Sequence, residues 1–285
     1  MLKSWQIRTL QANLVAQSAI VVTGAIVRVT SSGLGCPTWP ECVPGSITPT
    51  SDQVESWHKY IEFGNRLLTI ALVLVAIATI AAMWSQHRTL RQLSWGSLLG
   101  IFAQAVIGGI SVLTGLNPLV VASHFLLSIG LIAVAMKLYW NARYGFAQRE
   151  LVTAVPLVLA IKAHTWLALL IIVIGTLVTG TGPHAGDSAD IVRLGFDPQI
   201  ISWIHADVVL LFVGLTTGLI IALAATRSPT ALRRAAMWVL IVSLAQGLIG
   251  YLQYFNGLPW LLVASHVLGA VILWFTSLRL RLSIV

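Results

Sequence analysis

Two histidines in apolar segments are the residues of this chain best suited to chemistry. The segment Val-Ala-Ser-His ends at His124 and recurs 142 residues later, where it ends at His266. Twelve of the 24 positions from 103 to 126 are identical at that offset, which chance does not explain. An imidazole is costly to keep inside a membrane helix, so the repeated pair indicates that both histidines bind a ligand.

The repeat predicts that the whole chain is an internal duplication. Hydrophobic residues make up 57% of the sequence and charged residues only 9%, which is typical of a polytopic membrane protein. Eight apolar runs are long enough to span a bilayer, at about 10–30, 59–84, 95–114, 118–140, 154–180, 200–226, 233–255 and 258–280. We therefore predict an all-α membrane protein with eight transmembrane helices, built as two tandem four-helix bundles at 1–145 and 146–285.

The net charge of +8 is unevenly distributed along the chain. Most cations fall in loops that lie inside if the N-terminus is cytoplasmic, and most acids fall in the other loops. This positive-inside pattern predicts a multi-pass protein of the cell membrane with both termini cytoplasmic. The excess charge thus reports topology, and we expect no nucleic-acid partner.

Two outer loops are long, at 31–57 and 181–199, and we expect each to cap the site of its own half. The first contains Cys36 and Cys42, the only cysteines of the chain. On the predicted topology they face an oxidising compartment, where a disulfide would persist. Two unpaired thiols remain the alternative.

The second and sixth helices supply the partners of the repeated histidines. His205 lies 22 residues before Arg227 at the inner end of its helix, and Asn65 lies 23 residues before Arg88. His58 lies a further two turns out, about 10 Å along the axis. Asn65 is therefore the expected counterpart of His205.

The two halves consequently predict different iron sites. In the second half, His205 and His266 lie at matched depth, as bis-histidine haem coordination requires. In the first half, His124 is opposite Asn65, and an amide is a poor ligand for haem iron. A cofactor site needs both axial positions closed, whereas a substrate site can leave one open.

Glu62 lies one turn from Asn65, and its counterpart in the second half is Ser202. We predict that it is the catalytic residue, acting as a base or stabilising positive charge beside the open iron site. Arg28 and Arg66 lie near the outer ends of their helices, where they could pair with haem propionates or only reach the interface; propionate contact is favoured. His164, in the inner half of the fifth helix, is predicted to be structural.

These residues resemble the haem A synthase family, whose members carry eight helices in two halves. The family pattern Glu-x-x-His-Arg reads Glu62-Phe63-Gly64-Asn65-Arg66 here, so that the acid and the arginine are kept and the histidine is replaced. A second segment, 55–59, also reads acid-x-x-His-basic, but the helix-end count favours Glu62. The family's cysteine pair matches Cys36 and Cys42. Its remaining three histidines match His124, His205 and His266.

The resemblance implies a reaction and its cofactors. A methyl group of haem O would be oxidised to the formyl group of haem A through hydroxylated intermediates. The iron of the substrate haem O would be bound by His124, with Asn65 opposite, and the iron of a haem b by His205 and His266. The expected partners, besides the lipid bilayer, are haem O synthase, a quinone electron acceptor and cytochrome oxidase assembly factors; homo-oligomerisation is left open.

Two other classes of protein share some of these features. A di-haem b electron-transfer cytochrome would have the same histidines and topology, but it needs no acid beside an open ligand position. A transporter could also contain repeats. The core, however, lacks a charged path across the membrane.

Overall fold

A computed structural model describes residues 2–145, 153–187 and 191–284 of the protein. Within these ranges the chain forms eight α-helices and no strand. The helices are α1 (Ser4–Val29), α2 (His58–Met83), α3 (Arg88–Leu113), α4 (Pro118–Tyr144), α5 (Val155–Thr181), α6 (Pro198–Ala225), α7 (Thr230–Phe255) and α8 (Trp260–Leu282).

All eight helices are long and apolar enough to cross a membrane. The shortest, α8, has 23 residues, which corresponds to about 35 Å at 1.5 Å per residue and exceeds a hydrocarbon core of about 30 Å. The prediction of an all-α membrane protein is confirmed. The sides on which the termini lie stay a prediction.

Two helices begin earlier than their apolar runs. α1 begins at Ser4 rather than near residue 10, and α3 begins at Arg88 rather than near residue 95. Both added segments are polar, with Arg91 and Gln92 in the first turns of α3. Hydropathy marks the part of a helix that is in lipid, whereas the hydrogen-bonded helix continues into the interface, where polar side chains are tolerated.

The connections α3–α4 and α7–α8 have the same backbone conformation. In the first, Gly115 and Leu116 have positive φ angles of 58° and 59°. In the second, Gly257 and Leu258 have φ angles of 72° and 59°. This equivalence at an offset of 142 residues is what an internal duplication leads one to expect.

The chain forms two compact units. Unit 1 contains Met1–Arg143 together with Thr179–Gly195, and unit 2 contains Tyr144–Val178 and Phe196–Val285. The division falls close to the predicted boundary, whose second side, residue 146, lies outside the described residues. The domain assignment itself stays a prediction.

One expectation about the loops is wrong. The loop that follows α5 does not pack with its own half, because Thr179–Gly195 belongs to unit 1. Its Gly186 carbonyl accepts a 2.7 Å hydrogen bond from the Gly33 amide, and Ala185 and Ile191 pack against Leu116. Both long loops therefore cover the first half. Sequence order could not show this, because the contacts that hold the segment join residues far apart in the chain, and several of them end on backbone carbonyls.

In unit 2, His164 is fully buried. Its Nε2 is 2.8 Å from the Thr216 hydroxyl, and its ring stacks on Phe212 with centroids 4.1 Å apart. These contacts fit the structural role predicted for it.

Candidate active site

The buried Glu62 and the half-buried Arg66 form an ion pair one turn apart on α2. Both Nε and Nη2 of Arg66 donate to Glu62 Oε1, at 3.1 and 2.6 Å. Glu62 is only 6% exposed. A carboxylate in an apolar region needs such partners, because an unpaired buried charge is strongly unfavourable.

The cysteine ring packs directly on this pair. Cys36 and Cys42 form a disulfide, and no cysteine is free, so the predicted bond is confirmed. The Cys36 amide donates to Glu62 Oε2 at 2.6 Å, so each carboxylate oxygen has its own donor. Arg66 also donates to the carbonyls of Cys36, Thr38 and Glu41, at 2.9, 3.0 and 3.2 Å. The loop and the acid are thus held as one assembly.

Trp39, inside the ring, packs on α3. A Cβ atom placed on Gly109 would lie 2.5 Å from Trp39 Cδ2, so only glycine leaves room for the indole. The repeat counterpart of Gly109 is Tyr251. The space that Gly109 leaves for the Trp39 indole is therefore present only in the first half, as Glu62 is.

Arg28 binds the second long loop. Its Nε donates to the His184 carbonyl at 2.8 Å, and its Nη2 donates to the Thr179 carbonyl at 3.0 Å. Arg28 thus fixes the segment that covers the first half, and Arg66 is engaged with the first loop. Their contact with haem propionates stays a prediction.

Each candidate histidine lies against a glycine of the preceding helix. A Cβ atom on Gly108 of α3 would lie 3.1 Å from Cε1 of His124 on α4. The equivalent distance for Gly250 of α7 and His266 of α8 is 3.5 Å. Gly175 of α5 and His205 of α6 give 3.4 Å, although no repeated segment surrounds them. Glycine leaves room for the imidazole beside the backbone, and a larger residue would push the ring away.

The candidate histidines have buried ring nitrogens, a feature that the structural His164 shares. The Nδ1 atoms of His124, His205 and His266 are buried without a hydrogen-bond partner among the described residues. Unpaired buried polar atoms in a native structure call for an explanation, and a bound group is one. These histidines and their glycines fit haem, a flat apolar group whose iron takes imidazole ligands.

Comparison with known proteins identifies the family of the chain. The chain matches the sequence profile of the COX15-CtaA family, described as cytochrome oxidase assembly protein, over residues 8–278. The chain belongs to this family.

Similar relatives carry the name heme A synthase. The protein of Geobacillus thermodenitrificans is 33% identical over 108 residues, which cover 37% of this chain and 32% of the relative. That of Listeria welshimeri is 31% identical over 186 residues, covering 62% and 58%. That of Shewanella oneidensis is 29% identical over 154 residues, covering 47% and 44%. Each match spans less than two thirds of the relative's own length.

In this member of the family, Asn65 has a partner of its own. Its Oδ1 accepts a 2.7 Å hydrogen bond from the Thr23 hydroxyl on α1. Gly24, the neighbour of Thr23, has open space where a Cβ atom would be. Like the pairs α3–α4, α5–α6 and α7–α8, the α1–α2 pair has a glycine on its first helix. On its second helix the Asn65 amide, bonded to the Thr23 hydroxyl, takes the place of an imidazole.

Sequence reasoning missed three parts of the site. It assigned no role to Gln104 and Gln246, although both lie inside the repeat and both bond to a histidine carbonyl. It gave no role to Trp39, whose packing depends on Gly109. The repeat could have revealed the two glutamines. The difference between Gly109 and its counterpart Tyr251 could have pointed to the packing site of Trp39. The binding of Arg28 to the second long loop had no sequence signal.

Proposed function

We propose that this protein is a haem A synthase, which oxidises a methyl group of haem O to the formyl group of haem A through hydroxylated intermediates. The observation that carries the proposal is the placement of Glu62. Its carboxylate is fixed by Arg66 and the Cys36 amide, one turn from Asn65, and only the first half has an acid there. The names of the relatives support the same reaction.

Glu62 has the properties of a proton acceptor in that reaction. Oxidation of a methyl to a formyl group replaces two C–H bonds with one C=O bond. With water as the source of the oxygen atom, the reaction releases four protons and four electrons, and the electrons pass to an acceptor. When the substrate haem is bound, a carboxylate held in this way would take up a proton or stabilise positive charge on the reacting carbon. The hydrogen bonds from the loop keep it from rotating away, so that it is already oriented when substrate binds.

The histidines divide between substrate and cofactor. His124, lying on Gly108, would bind the iron of the substrate haem, with Asn65 on the opposite helix. His205 and His266 would hold haem b, which supplies an acceptor for the released electrons. A di-haem electron carrier would have no use for the acid and its disulfide ring, so the synthase is the better explanation.

The protein's surroundings follow from this reaction. Haem O would come from haem O synthase, and a quinone would accept electrons further on. Cytochrome oxidase assembly factors would receive the product. We place the protein in the cell membrane, with the long loops on the extracytoplasmic side.

Product analysis tests the proposal. The protein would be expressed in cells that make haem O but no haem A, and non-covalent haems would be extracted from the membranes. Haem A in the extract, absent from cells with an empty vector, is the expected result. An extract with haem O and haem B but no haem A, from protein that carries haem b, would contradict a synthase and favour the electron carrier.

A further inference from the structure

Two glutamines make the same unusual contact in the two halves of the chain. On α3, Nε2 of Gln104 donates to the backbone carbonyl of His124 at 3.1 Å. On α7, Nε2 of Gln246 donates to the backbone carbonyl of His266 at 2.8 Å. The two contacts are related by the 142-residue repeat and are two examples of one arrangement.

The preceding helix therefore holds each histidine at two points. The glycine that the imidazole touches comes four residues after the glutamine, at Gly108 on α3 and Gly250 on α7. Residues four apart share one face of a helix, so amide and glycine lie one above the other. The amide holds the main chain of the histidine, and the glycine receives its ring.

The backbone does not need this second bond. A carbonyl inside an α-helix already accepts a hydrogen bond from the residue four positions later. In both halves the glutamine Oε1 is itself buried without a partner among the described residues, which is unfavourable in an apolar interior. An apolar side chain would avoid that cost. The repeated use of an amide indicates that it serves to position the histidine.

In the second half, a glycine of α8 leaves space for this amide. A Cβ atom on Gly269 would lie 2.7 Å from Gln246 Oε1, so the side chain packs on the bare backbone one turn after His266. In the first half the counterpart of Gly269 is Leu127, and the Gln104 amide also bonds to the Ser128 hydroxyl. The contact to the histidine carbonyl is thus reached in two ways, and in the second half it depends on Gly269.

We propose that Gln246 is the positioning residue for His266, fixing its main chain so that the imidazole stays over Gly250 in the orientation that binds haem b iron. Gln104 does the same for His124 at the substrate haem. The inference rests on the proposed function, because it concerns ligands of the same two haems. It adds a residue that touches neither iron nor porphyrin.

Replacement of Gln246 by Met tests this inference. Methionine has a similar volume and no N–H, and Gln104→Met is the matched control in the other half. We expect the haem b content of purified Gln246→Met to fall and its dissociation constant to rise about 10-fold, as for other partners that orient a metal ligand. Gln104→Met should keep the haem b content and the low-spin spectrum of the wild type.

Added imidazole distinguishes a misplaced ligand from a damaged fold. In Gln246→Met, free imidazole should restore the low-spin spectrum, because the iron lacks only a well-placed nitrogen. Gly269→Ala, which displaces the amide without altering Gln246, should reproduce the loss. The proposal is overturned if Gln246→Met binds haem b with unchanged affinity and spectrum, if both glutamine variants lose haem b equally, or if imidazole restores nothing. Wild-type protein without haem b would instead contradict the proposed function.

Discussion

Glu62 is an acid at a position where the second half of the chain has none. Its counterpart is Ser202, whose hydroxyl bonds to the Pro198 carbonyl of its own helix. Glu62 instead binds Arg66 and the Cys36 amide, so the acid depends on a loop that the second half does not have. The asymmetry extends beyond a single substitution to the acid, its cation and the ring that covers them.

Replacing Glu62 by Gln should stop the chemistry and leave the fold and the cofactor intact. The amide keeps the shape but can neither accept the proton nor stabilise positive charge, so we expect turnover to fall by about 10²–10⁴-fold. Haem O or its hydroxylated intermediate should accumulate in extracts, while the haem b content stays normal.

Glu55→Gln is the matched control for this variant. Glu55 lies in the first long loop, outside α2, and should affect haem A output far less. Equal haem A output from Glu62→Gln and the wild type would refute the catalytic role. An inactive Glu55→Gln would move the site to the segment that contains His58.

At this scale the sequence marked candidate residues but not their contacts. The spacing from helix ends paired Asn65 with His205, and the apolar context marked Glu62 as unusual. The bond between Thr23 and Asn65 and the loop donors to Glu62 have no local signal, because their partners are 42 and 26 residues away in the chain.

At the scale of helices, glycine positions determine where a flat group can enter. Gly250 lies against His266, whereas a Cβ atom on Gly247 of the same helix would meet nothing within 4 Å. Two glycines three residues apart therefore have opposite roles, one receiving a ring and the other facing open space.

Gly250→Leu should remove haem b, and Gly247→Leu should not. The leucine side chain at position 250 would occupy the place of the imidazole and displace the His266 ring. Both substitutions raise helix propensity by a similar amount, so a difference between them reports space alone. The haem-to-protein ratio and the low-spin spectrum of the purified variants measure the effect. Equal haem b in the two variants would show that the glycine contact is unimportant.

The cysteine ring is an element of its own, and opening it should separate stability from activity. Closing so short a ring contributes no more than about 2–3 kcal/mol, so Cys36→Ser should still fold and bind haem b. The Cys36 amide would then be less firmly held against Glu62, and haem A output should fall. Thermal unfolding and pigment extraction give the two readouts. Full haem A output from folded Cys36→Ser would rule out the loop as the support of Glu62.

The apolar runs predicted every helix correctly but not every boundary. The number of spans follows from lipid-facing composition, which is a local property. The polar first turns of α1 and α3 belong to helices that extend beyond the apolar core, so hydropathy gives no sign of them.

At the scale of the molecule, the two units are not simple copies. Unit 1 contains its own four helices and also the segment Thr179–Gly195, which Arg28 holds through two backbone carbonyls. This segment lies between the two parts of unit 2 in the sequence, but it belongs to unit 1. The half proposed to perform the chemistry is thus covered by two loops, as expected of a site that keeps water from a reactive substrate.

The central claim is that one half holds the substrate and the other the cofactor. Reduced-minus-oxidised spectra of the purified wild type, His124→Ala and His266→Ala test it most directly. We expect low-spin haem b in the wild type and in His124→Ala, although the latter makes no haem A. His266→Ala should lose the low-spin signal. A bis-histidine spectrum that survives His266→Ala, or one that disappears in His124→Ala, would contradict the division of labour between the halves.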